Sequence, residues 1–390
     1  MAQRTVSVVV IGGSHAGLAV CQKLLRRTTR VHITLISPSQ DYYFNIAAPR
    51  FLVKSNSLQQ SSYLHSITDA FSEHSSDKFT FIRGVAVAID DGKKTVSASV
   101  ITDSAVTTGN TFGYDYLVIA SGSTTPATLG QSGLKIPFKA TAFEDTKAAI
   151  HEAQKKLAAA DSIIIGGGGP LGVEMAGELA EAPGGKKIIL VSQTDALLVG
   201  ATPTVQKRSL ALLNQKNVHV ILGSRVESAQ YSADAKVWSV KLASGRTITA
   251  DQYIASTGVV PNNDFIPKRF LNAGGWVNVD DQLRVLQQDK PCSNIYALGD
   301  ITMHADRLLS RVSIQGDVVA ANIVAGMMEQ EGARTYLAEA QRKMMVVPVG
   351  QSTGTGHFGG WTLMGCLVWY FKGKDFLVYE APKFLRGAMK

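Results

Sequence analysis

Residues 6–17 read VSVVVIGGSHAG, and this stretch decides the first part of the fold. The apolar run Val6–Ile11 has the length of a buried strand, and the glycines that follow permit a sharp turn. A helical pattern of apolar residues continues to Leu25, and residues 31–36 supply the next strand. Together these segments predict a βαβ unit of about thirty residues, the size typical of the start of a dinucleotide-binding domain.

The same pattern recurs at residues 162–172, which read SIIIGGGGPLG. A helical pattern follows through Leu179, and residues 187–191 form the next apolar run. A single glycine motif occurs by chance in many loops, whereas two complete units about 155 residues apart are far more specific. The sequence therefore predicts two dinucleotide-binding units in one chain.

Strand patterns between and after these units indicate how the two domains are connected. Residues 79–89 and 95–101 alternate as β-ribbon strands do. The apolar runs 114–120 and 253–256 each end in a small-residue turn, as expected where a chain crosses between domains. A further strand at residues 294–298 delivers a carboxylate, Asp300, at its tip.

These patterns predict an α/β protein with two Rossmann-like dinucleotide-binding domains. The domain of residues 126–258 is inserted into one formed by residues 1–125 and 259–335. Residues 336–390 form a small C-terminal capping or interface region.

In the first turn, Gly12 and Gly17 let a helix start approach a pyrophosphate, whose charge is met by free N–H groups and the helix dipole. Ser14 stands at the middle glycine position and can donate a hydrogen bond to phosphate. At the tip of the second strand, Ser37 replaces the acidic residue that usually binds the ribose. A plain strand-to-helix turn explains the first motif equally well when it is taken alone.

In the second turn, Gly167, Gly169 and Gly172 satisfy G-x-G-x-x-G fully, which favours binding of a nucleotide. Glu174 lies two residues further and is our candidate catalytic residue, positioned toward the nicotinamide. At the second strand tip, Ser192-Gln193 replaces the acid expected for NAD, and no arginine beside it favours a 2′-phosphate. The choice between NADH and NADPH therefore stays open.

Two further segments carry candidate residues. In residues 45–50, small side chains permit close approach to a flat ring, and Arg50 is either a phosphate contact or a surface residue. Asp300 precedes a helical pattern at residues 317–328, whose start could face a negative charge on a flavin; an exposed loop aspartate is the alternative. His15 is interpreted as a turn histidine and Cys21 as a core residue.

Composition limits the classes of function. The chain has 39 Lys+Arg against 31 Asp+Glu, a formal charge of +8 that suits anionic partners, but no nucleic-acid-reading motif accompanies it, so DNA or RNA binding is disfavoured. Three dispersed cysteines support neither a disulfide framework nor a metal site. The N-terminus has no signal-peptide pattern, and we expect a cytoplasmic protein, with association to a membrane surface or mitochondrion left open.

Residues 344–371 contain no Asp, Glu, Lys or Arg and are flanked by basic residues. Glycines and a proline interrupt the segment, which argues against a transmembrane helix. A buried dimer face or domain cap is the favoured interpretation, and peripheral lipid contact or a channel for an apolar substrate is the alternative. Oligomerisation stays open.

In order along the chain, these features resemble the two-dinucleotide flavoprotein superfamily that includes glutathione reductase. The runs 42–50, 257–262 and 296–300 resemble the branch of ferroptosis suppressor protein and the fungal proteins similar to apoptosis-inducing factor. The resemblance implies FAD and NADH or NADPH as cofactors. It implies a fold of the glutathione reductase type, with residues 1–125 and 259–335 as the FAD domain and residues 126–258 as the NAD(P)H domain. It places FAD against Gly12, Ser14, Gly17, Ser37, Val85 and Asp300, and NAD(P)H against Gly167, Gly169, Gly172, Glu174 and Gly258. Further candidate cofactor-binding residues are Gly13, Arg50, Ser121 and Gly122.

The family's disulfide reductases carry a cysteine pair and a His–Glu dyad, and this sequence has neither pattern, which disfavours thiol reduction. We therefore predict an FAD-dependent NAD(P)H oxidoreductase that passes electrons to a quinone-like acceptor or oxygen. One alternative is electron transfer to a partner protein such as a ferredoxin. Another is an NADH-sensing or DNA-associated effector resembling apoptosis-inducing factor, although a shared fold is weak support for function.

Overall fold

The computed structural model describes residues 4–102, 105–131, 133–141, 146–304, 307–330, 333–338 and 343–387. Residues 1–3 and Arg342, which entered the sequence interpretation, lie outside the described residues. The first part of the chain forms nine strands and four helices: β1 Val6–Ile11, α1 His15–Arg27, β2 Val31–Ser37, β3 Asp41–Tyr43, α2 Ala48–Val53, β4 Leu64–Ser66, α3 Ile67–Ala70, β5 Phe79–Asp90, β6 Thr95–Ile101, β7 Val106–Gly113, β8 Tyr116–Ile119, β9 Ser123–Thr124 and α4 Pro126–Leu129.

A second set of elements follows in the middle of the chain: α5 Thr146–Ala159, β10 Ser162–Gly166, α6 Pro170–Ala180, β11 Lys187–Val191, α7 Pro203–Gln215, β12 His219–Ile221, β13 Val226–Ser232, β14 Val237–Leu242, β15 Thr247–Ala250 and β16 Gln252–Ala255. Strands β12, β11, β10 and β16 form a parallel sheet in that order, and β13–β15 form a separate antiparallel sheet. This is the second predicted Rossmann-like unit.

The chain then returns to the first unit through β17 Val260–Pro261, β18 Arg284–Gln287, β19 Lys290–Ala297 and α8 Leu309–Met327. The first unit's sheet has the order β18-β19-β8-β1-β2-β5-β6-β7, so strands that precede the second unit and strands that follow it share this sheet. Its centre is parallel, and the core strands are apolar because helices or ribbons cover both faces. The predicted fold class, with one dinucleotide unit inserted into another, is confirmed.

The two crossings between the sheets pair with each other. Val260 and Pro261 of β17 lie antiparallel to β9, opposite Thr124 and Ser123. The outgoing and returning chain therefore form a short two-stranded link between the units. The exact domain boundaries stay predictions.

Helix α8 begins at Leu309, eight residues before the predicted start at Asp317. Polar residues in its first turns obscure the apolar pattern, because Arg311 and Gln315 are buried there. Gln315 accepts a hydrogen bond from the backbone N–H of Gly299, 2.8 Å away. A polar helix face is thus buried against the Asp300 turn.

The C-terminal region contains β20 Met344–Pro348, β21 Gly354–Phe358, β22 Trp361–Thr362, α9 Gly365–Val368, a π-helical turn Trp369–Gly373 and α10 Ala381–Leu385. It packs closely on the second unit, since a Cβ at Gly177 of α6 would lie 2.5 Å from the backbone nitrogen of Gly350. The region also exposes large apolar and aromatic residues. Among the described residues, none of the helices combines the length and apolar character needed to cross a bilayer.

Candidate active site

The first glycine turn is closed so tightly that side chains do not fit at two of its positions. Gly12 has φ +115°, and a Cβ there would lie 2.2 Å from the carbonyl oxygen of Ala120. A Cβ at Gly17 would lie 1.8 Å from the carbonyl oxygen of Gly12. The start of α1 therefore meets the end of β1 directly, and its first N–H groups are available to an anionic group such as a pyrophosphate.

The neighbouring candidates lie along the same edge of the sheet. Ser14 is the exposed N-cap of α1, and its side chain makes no capping bond to that helix, so the hydroxyl is available to a ligand. A Cβ at Gly13 would lie 2.7 Å from Ser37 Oγ, which brings the tip of β2 against the turn. Arg83 of β5 pairs with Ser37, so Val85 lies two residues beyond that tip. Along this edge, the glycine turn, Ser37 and Val85 suit the pyrophosphate, the ribose and the adenine of a dinucleotide, in that order.

Asp300 is fixed beside the start of α1. Its turn approaches the helix so closely that a Cβ at Gly299 would lie 2.9 Å from Ala16 Cβ. Its Oδ2 accepts hydrogen bonds from Ser123 Oγ at 2.9 Å and Lys139 Nζ at 3.1 Å. Burial alone would raise the pKa of Asp300, but the Lys139 charge and these hydrogen bonds lower it below its usual value. The carboxylate is thus held charged, and the sequence did not reveal either partner.

Ser121 and Gly122 form the link to the second unit. A Cβ at Gly12 would lie 3.1 Å from the Ser121 nitrogen, so this segment borders the first turn. Ser121 Oγ donates to the carbonyl of Asn262 at 2.8 Å, and Asn262 Nδ2 donates back to the Ser121 carbonyl at 2.8 Å. Gly122 has φ +67°, a conformation that favours glycine. The tight turn and the free start of α1 therefore suit the pyrophosphate of a dinucleotide such as FAD.

The second glycine turn opens onto a cavity of about 740 Å³, a volume in the range of cofactor sites. Gly167 has φ +123°, and a Cβ at Gly172 would lie 1.9 Å from its carbonyl oxygen, so this turn repeats the geometry of the first. The lining comes from segments that follow the four parallel strands, residues 167–169, 191–194, 224–229 and 255–258, together with nearby residues. Gly167, Gly169 and Gly258 are thus brought together, with Gly172 beneath them.

The cavity lining corrects one expectation about the ribose end. No arginine was expected beside Ser192-Gln193, yet Arg225 lines the same cavity as those two residues. It comes from the loop after β12, thirty-odd residues further along the chain, so local sequence reading could not place it.

Glu174 lies on the buried face of α6, outside that lining. Its Oε1 accepts a hydrogen bond from Lys372 Nζ at 2.6 Å, and both side chains are largely buried. Burial raises the pKa of Glu174, an effect that the Lys372 charge and hydrogen bond oppose and the nearby Glu178 carboxylate reinforces. Lys372 had been noted only as a basic flank of the apolar segment. The pair connects the second unit to the C-terminal region.

Arg50 does not lie where a phosphate contact would need it. Its guanidinium is buried, with Nε 2.8 Å from Glu178 Oε2 on α6. Nη2 donates to the carbonyl of Gly373 at 2.8 Å, and the guanidinium lies over the Phe376 ring, 4.9 Å from its centre. Because protein groups occupy the guanidinium, this geometry argues against the predicted phosphate role. Arg50 instead joins α2, α6 and the C-terminal region.

His15 begins α1 and is held on both ring nitrogens. Tyr42 Oη lies 2.8 Å from Nδ1, and Asn45 Oδ1 lies 3.2 Å from Nε2. The rings of Phe44 and Phe384 approach it edge-on. Burial lowers the pKa of His15 to about 4, so the imidazole is neutral near pH 7. Cys21, one helical turn and a half further on, is a core residue, as predicted.

Two strand–glycine turn–helix edges in one chain, the second opening onto a nucleotide-sized cavity, define a protein of the two-dinucleotide-binding class. A family model described as pyridine nucleotide-disulphide oxidoreductase matches residues 6–353. The chain therefore belongs to the pyridine nucleotide-disulphide oxidoreductase family. Membership implies the use of FAD and NAD(P)H.

Individual relatives agree with this assignment. The chain is 33% identical over 389 residues to oxidoreductase ptaL of Pestalotiopsis fici, with 98% of this chain and 99% of that protein covered. It is 24% identical over 399 residues to ferroptosis suppressor protein 1 of Homo sapiens, with 97% and 95% covered. These matches confirm the resemblance to that branch of the superfamily.

The fold has a match among solved structures. The sulfide:quinone oxidoreductase of Aquifex aeolicus superposes with a TM-score of 0.76 at 19% identity, covering 98% of this chain and 92% of that one. At this identity the match establishes the architecture alone.

Proposed function

We propose that this protein oxidises NAD(P)H and delivers the two electrons to a quinone-like acceptor, with FAD as its resident cofactor. FAD, when bound, accepts a hydride from a nicotinamide and passes electrons on. The observation that carries the proposal is the pairing of the two nucleotide edges through the β9–β17 link, which holds both binding turns in one framework. Positioning of two bound rings can supply most of the rate without a side-chain nucleophile.

The protein's own residues have defined tasks in this proposal. The two glycine turns hold the pyrophosphates. The charged carboxylate of Asp300 is a hydrogen-bond acceptor beside the start of α1. The Glu174–Lys372 pair fixes a cation at the junction with the C-terminal region. Burial raises the pKa of the Cys21 thiol, which disfavours thiolate chemistry there.

The exposed side chains of the C-terminal region support a quinone-like acceptor. Large apolar and aromatic residues that would favour a hydrophobic acceptor are exposed there: Phe358, Trp361, Met364, Leu367, Trp369, Tyr370, Phe371 and Tyr379. We call these exposed residues the aromatic surface.

The deciding experiment is an anaerobic visible spectrum of the purified protein before and after NADH or NADPH, followed by a short-chain quinone. We expect a flavin band that bleaches with a nucleotide and returns with the quinone. A colourless protein that takes up no FAD, or a flavin that neither nucleotide bleaches, would overturn the proposal and favour the effector alternative. If only oxygen restores the bleached flavin band, a quinone is excluded as the acceptor, while oxidation of NAD(P)H by the flavin stands.

Peripheral membrane contact is a second part of this proposal. In the aromatic surface, Trp361 is 82% and Tyr370 59% exposed, and the exposed Lys374 lies four residues after Tyr370 in the chain. Large contiguous apolar patches mark interaction surfaces, and basic residues beside aromatic ones suit anionic lipid headgroups.

Co-sedimentation with phosphatidylcholine vesicles containing phosphatidylserine tests this contact. The double variant Trp361→Ser/Tyr370→Ser should bind at least about tenfold more weakly, because it removes much of the apolar area that inserts. Tyr231→Ser is the matched control, since Tyr231 is 52% exposed on β13, outside this surface. Equal sedimentation of the wild type and the double variant would refute the contact.

A further inference from the structure

The ribose end of the second cavity carries no acidic residue at the tip of β11. Ser192 and Gln193 follow the strand there, where an acid would bind the 2′-hydroxyl of NADH and repel a 2′-phosphate. Ser192 is buried and its Oγ lies 3.0 Å from Thr194 Oγ1, so the tip presents a neutral surface. Ser192 and Gln193 therefore place no negative charge at the strand tip that would repel a phosphate.

The loop after β12 is bound to this tip by its backbone. Gly223 N–H donates to the carbonyl of Thr194 at 3.1 Å, and Ser224 N–H donates to the carbonyl of Ser192 at 3.0 Å. The next residue, Arg225, is exposed and lines the cavity. In the described part of the chain, its guanidinium makes no ion pair. A cation is therefore held beside the ribose end and is not neutralised by a protein carboxylate.

Ser224 supplies an independent sign of a ligand. It is 6% exposed and lines the cavity, and its Oγ is buried without a hydrogen-bond partner among the described residues. A buried hydroxyl left unpaired costs free energy unless a bound group satisfies it. Ser224 and Arg225 both line this cavity, so a hydroxyl and a guanidinium are present at the same binding site.

We propose that Arg225 and Ser224 bind the 2′-phosphate of the adenosine ribose, which makes NADPH the preferred reductant; this rests on the proposed function. Arginine suits this task because its planar fork of donors matches phosphate geometry. Two carboxylates lie in the neighbourhood. Glu227 lines the cavity but pairs with Lys241 at 3.4 Å. Asp195 is exposed outside the lining, with its Oδ1 against Gly223 of the same loop, where a Cβ would lie 2.8 Å away.

Calorimetric titration with 2′,5′-ADP and 5′-AMP tests the site on the intact protein without any redox step. We expect the wild type to bind 2′,5′-ADP at least about tenfold more tightly than 5′-AMP, a preference that weakens with salt. Arg225→Ala should remove most of this preference, and Arg225→Lys should restore part of it. Gln193→Glu, an exposed change at the strand tip, should weaken 2′,5′-ADP binding because it places a negative charge beside the phosphate.

Arg246→Ala is the matched control, since Arg246 is an exposed arginine of the same unit outside the cavity lining. It removes the same charge and should keep the preference for 2′,5′-ADP. The proposal is wrong if the wild type binds both nucleotides equally, or if Arg225→Ala weakens both by the same factor. A flavin that no nucleotide reduces would refute the proposed function, while the binding preference would still report on Arg225.

Discussion

The buried ion pair between Glu174 and Lys372 makes the sharpest prediction at the scale of single residues. The Oε1–Nζ distance is 2.6 Å, and the two residues come from α6 and the C-terminal region. Glu174→Gln keeps the shape of the side chain but removes the charge that fixes the Lys372 ammonium. The predicted role of Glu174 in positioning the nicotinamide implies that flavin bleaching by NADPH slows by about 10- to 100-fold in anaerobic stopped-flow, because small displacements of reacting groups cost rates of this order.

Glu380→Gln is the control for this change. Glu380 also pairs with a lysine of the C-terminal region, Lys383, at 2.9 Å, but both side chains are more exposed. Such surface pairs contribute little, so bleaching should keep its wild-type rate. If Glu174→Gln also bleaches at the wild-type rate while holding FAD normally, Glu174 has no positioning role.

His15 predicts a pH dependence of stability. Its pKa is lowered from 6.5 to about 4 in the folded protein. As pH falls through this interval, the unfolded chain takes up a proton that the folded chain does not, so folding loses up to roughly 3 kcal/mol. His15→Gln removes this proton uptake. Unfolding midpoints at the two ends of the interval should therefore differ less in the variant than in the wild type, and an identical pH dependence would contradict the assignment.

The sequence alone identified the carboxylates Asp300 and Glu174 as candidate site residues, but it did not identify the lysines that pair with them. Asp300 and Glu174 follow recognisable strand and helix patterns, so the sequence singles them out. Lys139 and Lys372 reach them from positions 161 and 198 residues away along the chain. No local pattern carries that information, because the contacts depend on how the units pack.

At the scale of elements, the same glycine-to-alanine change in the two strand–glycine turn–helix units should affect different cofactors. Gly17→Ala places a Cβ 1.8 Å from the Gly12 carbonyl oxygen, and Gly172→Ala places one 1.9 Å from that of Gly167. Either turn must open. Gly17→Ala should lose bound FAD and its visible colour, whereas Gly172→Ala should stay yellow and lose binding of NADPH by at least about tenfold.

Absorbance of the purified variants and calorimetric titration with NADPH measure these outcomes. Each variant serves as the control for the other, since both replace a helix-start glycine with alanine. Loss of FAD from Gly172→Ala, with retention in Gly17→Ala, would reverse the assignment of the two units.

Elements were predictable where the pattern is local. Strand β1 and strand β11 have the bounds that the apolar runs indicate, and β5 differs by one residue at its end. The start of α8 was not predictable, because Arg311 and Gln315 are polar residues buried by tertiary contacts. The elements of the apolar C-terminal segment were not predictable either. The segment forms short strands and turns, part of it packs on α6, and several of its large apolar residues are exposed.

At the scale of the whole molecule, one buried cluster holds three parts of the chain together. Arg50 from α2 of the first unit pairs with Glu178 from α6 of the second, and it also donates to the C-terminal carbonyl of Gly373. Lys54 adds a further contact to Glu178 at 3.1 Å. The proposed hydride transfer requires the two nucleotide edges to be held in one arrangement. The contacts of this cluster, which stabilise the junction, therefore also support the proposed function.

Arg50→Met should destabilise the protein by less than the roughly 3–5 kcal/mol typical of an uncompensated buried charge, because the buried Glu178 carboxylate loses the guanidinium but keeps Lys54. The double variant Arg50→Met/Glu178→Met should recover most of that loss, since apolar side chains of similar volume replace the buried charges. Lys54 keeps Glu181 as a partner at 3.2 Å in the double variant. Denaturant unfolding of the FAD-loaded protein measures both effects. Equal loss in the single and double variants would mean that packing around Phe376, and not the ion pair, is what Arg50 contributes to the junction.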